Sequence, residues 1–162
     1  MKNSIVNEKI YVETARLLEP LGYKVVDVRT SDHGQSVDIM VIIMVGDREV
    51  TVDDCAKAHR MLYPHFSVNE ANRDISLEVS TPGIQRSLRD IHEFSLFASK
   101  RCRVYDSESG AWIEGFIGDS DGTNVHLHQA KFDDMAEIHE TYIIPYERIH
   151  KAKLAYAWED IS

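Results

Sequence analysis

Apolar residues change their spacing once along this chain, near residue 98, and that change imposes a two-part architecture. Before it the helical period dominates. Val6, Ile10, Leu17, Leu18 and Leu21 fall on one stripe of a helix. Pro20 and Gly22 end that helix by removing an amide donor and freeing the backbone. Two β-branched runs follow, Tyr23 to Arg29 and Val37 to Val45, with Ser31-Asp32-His33-Gly34 as their hairpin connection. The second run is apolar at nearly every position, which predicts burial on both faces or a covered central strand. Thr51 is an N-cap for a second helix, with Asp53 and Asp54 in the first turn, where carboxylates suit the dipole. Its expected stripe is Val52, Cys55, Ala56, His59, Leu62, Tyr63 and Phe66, and Pro64 is expected to end or kink it. Asp74 to Ser80 then alternates, with Ile75, Leu77 and Val79 on one face. The order helix, strand, strand, helix, strand predicts an α+β layer with the helices on one sheet face.

A short helix from Arg89 to Ala98 reads as a bridge. Beyond it come five short strand candidates: Arg101 to Asp106, Trp112 to Asp119, Asn124 to Gln129, Glu140 to Ile144, and His150 to Tyr156. The turns Ser107-Glu108-Ser109-Gly110 and Ser120-Asp121-Gly122-Thr123 separate the first three. So many short strands in so little chain predict a small closed or half-closed barrel. Cys102, Val104, Ile113, Ile117, Val125, Leu127 and Leu154 are its expected interior. The domain expectation is residues 1–88 as the α+β part, 89–99 as the bridging helix and 100–162 as the barrel.

Charge and composition narrow the function classes. The chain has 18 Lys and Arg against 27 Asp and Glu, a net charge of −9. That argues against unaided duplex binding, which needs a concentrated cationic surface, and favours a basic partner. Residues 1–91 hold 11 basic and 14 acidic side chains, and residues 92–162 hold 7 and 13, so the C-terminal part is the less suited to phosphates. The longest apolar run, Ile39 to Val45, falls far short of the roughly 20 residues of a membrane span. Met1-Lys2-Asn3-Ser4 has no apolar signal region behind it. With only Cys55 and Cys102, a reducing cytoplasm is the simplest compartment.

No constellation suggests catalysis. Asp53, Asp54 and Cys55 are neighbours on a helix, spread roughly 100° apart per residue, so they do not converge. Cys55 and His59 lack further metal ligands, and His126 and His128, two apart on a strand, read as solvated. Phosphate loops, G-x-S-x-G and H-E-x-x-H are missing from the sequence. No catalytic residue, metal site or cofactor is expected. Ser80-Thr81-Pro82-Gly83-Ile84-Gln85-Arg86-Ser87-Leu88 is the most informative stretch: Pro82-Gly83 forces a tight turn after a strand. Arg86 and Arg89 then read either as partner-binding residues or as solvated arginines at a corner. Tyr105, Trp112 and Phe116 lie opposite the expected barrel core, where they either anchor a partner or pack within the protein.

Leu21-Gly22-Tyr23, Val50-Thr51-Val52-Asp53-Asp54-Cys55-Ala56 and Leu77-Glu78-Val79-Ser80-Thr81-Pro82-Gly83 together resemble the bacterial ribosome maturation factor RimP (YhbC) family. The resemblance runs from about Ile10 to Tyr156, and Ile144-Pro145-Tyr146-Glu147-Arg148-Ile149-His150-Lys151-Ala152 is similar to the family's C-terminal ending. It implies an α+β N-terminal domain joined to an SH3-like (Sm-like) barrel. It also implies a non-enzymatic cytoplasmic factor, monomeric and free of membranes, for assembly of the small ribosomal subunit and maturation of its rRNA. The partner so implied is the basic small-subunit protein twelve, which the acidic composition suits independently. The family usually has Leu, Asp and Pro where this chain has Ile84, Gln85 and Ser87, while Arg86 is retained.

The leading expectation is therefore an assembly factor that binds a basic ribosomal protein, with Arg86, Pro82, Gly83, Trp112 and Phe116 as candidate contacts. One alternative is an Sm-like module that contacts rRNA directly, with Lys100, Arg101, Arg103, Lys151 and Lys153 as a local cationic patch. The other is a hydrolase built on Asp53, Asp54 or Cys55.

Overall fold

A computed structural model describes residues 5–46, 48–70 and 72–155. The expectations for Met1-Lys2-Asn3-Ser4 and Tyr156 lie outside them. The chain divides into two compact units between Pro82 and Gly83. Residues 83–88 group with the second unit because backbone bonds tie them to its last strand. The Leu88 N–H donates to the Ala152 carbonyl (2.8 Å), and the Leu154 N–H donates to the Arg86 carbonyl (2.9 Å).

In the first unit, helix α1 (Lys9–Leu18) runs into a 3-10 turn at Glu19–Leu21, with Pro20 at its start. Gly22 closes the turn at φ 92°, a left-handed conformation that a side chain would strain. Leu18 and Ala15 are buried, with Ile10 and Leu17 packed against the same core, but Leu21 points outward. Strands β1 (Lys24–Asp32) and β2 (Ser36–Met44) pair antiparallel, with a bulge between Val25 and Asp27. Helix α2 (Val52–Asn69) crosses over to β3 (Asp74–Ser80), which therefore lies parallel to β2. The sheet order β1-β2-β3 makes the most apolar strand the central one, as its unbroken run predicts. Val25, Val28, Val37, Ile39, Val41 and Ile43 form one core with Ala15, Leu18, Ala58, Leu62 and Phe66, so both helices cover the same sheet face.

Two expectations for α2 need correction. Its buried residues are Asp54, Ala58, Leu62 and Phe66, whereas Val52 is 85% exposed and Tyr63 lies outside. The inward face is turned by about one residue because a satisfied carboxylate, Asp54, occupies the first buried position. Nor does Pro64 end the helix, which continues to Asn69. Buried Phe66 fastens the last turn, and Glu70 closes it by donating its N–H to the Phe66 carbonyl (3.0 Å).

The second unit opens with a short helix, α3 (Ile91–Leu96), narrower than the expected span because Asp90 caps it and Phe97 ends it. Five antiparallel strands follow: β4 (Arg101–Asp106), β5 (Ala111–Ser120), β6 (Asn124–Phe132), β7 (Ile138–Pro145) and β8 (Ile149–Leu154), ordered β7-β6-β5-β4-β8. All seven expected interior residues are buried. The end strands β7 and β8 are joined by the three-residue 3-10 turn Tyr146–Arg148. Four trans steps from Pro145 to Ile149 reach no more than about 15 Å. Four strand spacings in a flat sheet would separate the edges by about 19 Å. The sheet is therefore curled, and bulges in β5 beside Glu114 and Ile117 help to bend it. At Gly115 an added Cβ would lie 3.0 Å from the His128 carbonyl oxygen and 3.3 Å from the Ala130 Cα, so β6 passes close there. Among the described residues no helix is long and apolar enough to cross a membrane.

Candidate partner-binding site

Arg86 does not present its charge outward. Only 9% of it is exposed, and its Nε donates to Glu93 Oε1 at 2.6 Å. The other Glu93 oxygen accepts the backbone N–H of Arg89 (2.6 Å) and of Asp90 (3.1 Å), closing the capping box of α3. Arg86 is thus a fixed structural cation that anchors a helix start, and Glu93 keeps its buried charge paired. Pro82 is half-buried and Gly83 exposed, and among their neighbours Ile84 is the large apolar side chain left in solvent.

Trp112 and Phe116 are half-buried on the outward face of β5, as the alternation predicts. Each ring is covered by a guanidinium from β4: Arg103 lies 5.2 Å from the Trp112 ring centre, and Arg101 lies 4.8 Å from that of Phe116. Tyr105 packs edge-on against Trp112 (5.4 Å). The register sets Arg101 opposite Phe116, Arg103 opposite Glu114 and Tyr105 opposite Trp112. On the other side of β4, Lys153 faces Arg103 and Lys151 faces Tyr105. Strand pairing thus gathers Arg101, Arg103, Lys151 and Lys153 on one face. It adds Lys131, opposite Glu114, which the sequence reading missed because β6 was expected to stop at Gln129.

The first unit carries a face of the opposite sign. Asp38 on β2 and Asp74 and Glu78 on β3 all stand exposed on the side of the sheet away from the helices. The same side holds Lys24 and Arg29, and Arg29 is taken up by Asp27, its Nε donating to Asp27 Oδ2 at 3.0 Å. His33 Nε2 lies 3.1 Å from Asp38 Oδ2. The alternation of β3, which sets Asp74, Ser76 and Glu78 on one face, was the available signal.

The residues on which a hydrolase would depend point elsewhere. Asp54 accepts from Arg48 (2.6 and 3.0 Å), from the Tyr23 hydroxyl (2.8 Å) and from the Thr51 N–H (2.8 Å). These donors, Arg48 first, hold its carboxyl far below the usual carboxylate range. Asp53 faces solvent. Burial pushes the Cys55 thiol up, away from the reactive thiolate, and burial pushes Cys102 up to about 12. His59 stacks on Tyr63 with ring centres 5.6 Å apart. Among the described residues no three His, Cys, Asp or Glu side chains gather as metal ligands.

Residues 14–85, nearly the whole first unit, match the family model of the RimP N-terminal domain. The ribosome maturation factor RimP of Borrelia turicatae (strain 91E135) is 25% identical over 134 residues, spanning 78% of this chain and 92% of that protein. Both comparisons make this chain similar to RimP, over the N-terminal domain and over most of its length. The match to the RimP N-terminal domain takes in β2 and β3, and with them the acidic sheet face. Among solved structures, the SmAP (LSm) protein of Methanococcus vannielii is similar to 41% of this chain and 94% of its own, at 16% identity and a TM-score of 0.35, too slight a likeness to carry an argument.

Proposed function

We propose that this chain is a ribosome maturation factor, serving assembly of the small ribosomal subunit and maturation of its rRNA. It acts without catalysis, by binding the basic small-subunit protein twelve and assisting its incorporation. The observation that carries this reading is the match of residues 14–85 to the RimP N-terminal domain, joined to the name and coverage of the Borrelia relative. The acidic face of Asp38, Asp74 and Glu78 supports it physically. A cationic protein segment laid along β3 meets Asp74 and Glu78 four residues apart, about 13 Å along the strand, with Asp38 of β2 beside Ser76 between them. Such complementarity speeds encounter and fixes orientation more than it adds affinity. The exposed Ile84 beside Pro82 and Gly83 offers an apolar contact of its own. On this reading the factor works in the cytoplasm, as a monomer.

The test is titration of labelled small-subunit protein twelve with this chain, by anisotropy, beside other basic small-subunit proteins. Protein twelve is expected to bind preferentially, and the triple change Asp38→Lys, Asp74→Lys, Glu78→Lys is expected to weaken it at least tenfold. Equal binding of every basic protein, or indifference to the triple change, rejects the reading.

A further inference from the structure

We infer that the outward face of β4, β5 and β8 binds single-stranded RNA. Residues 92–162 contain seven basic side chains, and five of them, Arg101, Arg103, Lys131, Lys151 and Lys153, stand on this one side of the curled sheet. Glu114 is the only acid on the paired positions between them. A unit with a net negative charge has thus concentrated its cations where neighbouring strands lie about 4.8 Å apart and alternate residues about 6–7 Å. Arg103, Lys131, Lys151 and Lys153 make no ion pair among the described residues, so their charge remains available to phosphates.

Aromatic rings interleave with the cations. Tyr105, Trp112 and Phe116 share the face, and His150 from β8 meets Tyr105 edge-on at 6.3 Å. Unpaired bases stack on aromatic rings and on guanidinium planes, and the Arg103–Trp112 and Arg101–Phe116 pairs supply both in layers. The Trp112 and Phe116 rings each border a cleft. One, of about 340 Å³, is lined by Trp112, by the cations Arg103 and Lys131 with Glu114 between them, and by Asp133 and Asp134. The other, of about 460 Å³, is lined by Phe116, Gly118 and His128, by Ser99 and Gln129, and by one acid, Asp119. Ser99 (φ 70°) and Gln129 (φ 53°) hold left-handed backbone that side-chain-bearing residues seldom adopt, a strain that tends to persist where a site is shaped. A duplex hides its base faces and would leave the rings unused, so the surface fits a single strand.

The experiment is anisotropy of a labelled twelve-nucleotide oligouridine against the full chain at 50, 100 and 200 mM KCl. Three or four phosphate contacts predict a slope of log K on log salt of about −2 to −3. Arg103→Glu with Lys153→Glu is expected to lose at least tenfold in affinity and to flatten the slope. Trp112→Ala is expected to lose roughly five- to a hundredfold with the slope unchanged, since stacking releases no counterions. Arg103→Lys, which keeps charge and fold, should retain the slope, and Lys57→Glu on the exposed side of α2 should bind as the parent does. With Trp158→Phe leaving Trp112 as the one indole, its fluorescence should fall on binding. The assignment is overturned if the Arg103/Lys153 reversal binds no worse than Lys57→Glu. It is also overturned if duplex RNA binds as tightly, or if oligoglutamate displaces the strand as well as oligouridine does. Binding to protein twelve is read separately, so either reading can fail alone.

Discussion

At the scale of single residues, the buried charges are there to hold backbone, and their pairing explains why. Asp106 is fully buried at the end of β4. It accepts from Arg148 Nη2 (2.6 Å) and Nε (3.2 Å), from the Ser109 hydroxyl (2.9 Å) and from the Glu108 N–H (3.0 Å). One carboxylate therefore shapes the β4–β5 turn and fastens the approach to β8. Arg148, foremost among these donors, lowers its pKa to about 2. A folded value below the ordinary one means that ionised Asp106 stabilises the native state above about pH 4, and that this contribution fades as pH falls toward 2. Asp106→Asn leaves Arg148 half-paired and should cost about 2–3 kcal/mol at pH 7. Urea unfolding from pH 7 down to pH 2 should show the parent and the variant converging between pH 4 and 2. A gap that stays constant through that range contradicts the assignment.

Elements show where reading from sequence succeeds and where it stops. Strands were legible because a half-covered sheet forces period two: Ile75, Leu77 and Val79, like Cys102 and Val104, stood out by alternation alone. Arg86 was not legible. Its burial depends on Glu93, and local pattern assigns an arginine after a turn to solvent. In α2 the stripe was misplaced because Asp54, polar by type, is an inward residue once Arg48, Tyr23 and Thr51 satisfy it. Pro64 raises a sharper point, since it interrupts a helix that nevertheless continues for five residues. The helix there lacks one N–H, which would otherwise donate to the Arg60 carbonyl. Packing of Leu62 and Phe66 offsets that loss. Pro64→Ala is therefore expected to stabilise the chain, by about 1–3 kcal/mol, less whatever rigidity proline removes from the unfolded state. A rise in the urea midpoint at unchanged m-value checks this, and a fall would show that the proline sets a needed bend.

For the whole molecule, the average charge conceals the design. A net −9 suggests one acidic surface for one basic partner, yet five of the seven cations of residues 92–162 gather on one sheet face, while Asp38, Asp74 and Glu78 stand on a face of the other sheet. The sorting could not be read from composition, because Arg101, Arg103, Lys151 and Lys153 lie about fifty residues apart in pairs and meet only through the β4–β8 register. If the acidic face of the first unit takes cationic protein and the basic face of the second takes RNA, the two activities should separate by mutation. Reversal at Asp38, Asp74 and Glu78 should weaken protein twelve at least tenfold and leave oligouridine within about twofold. Reversal at Arg103 and Lys153 should do the opposite. Each set shifts net charge strongly, so a general field effect would instead move both ligands together, in opposite senses: added positive charge would tighten RNA while loosening the protein. Paired titrations of both variants at 150 mM salt, where the Debye length is about 8 Å, suppress that long-range term and leave the local one. Clean separation at that salt supports two distinct docking faces, and joint movement places recognition in the overall field rather than in these residues.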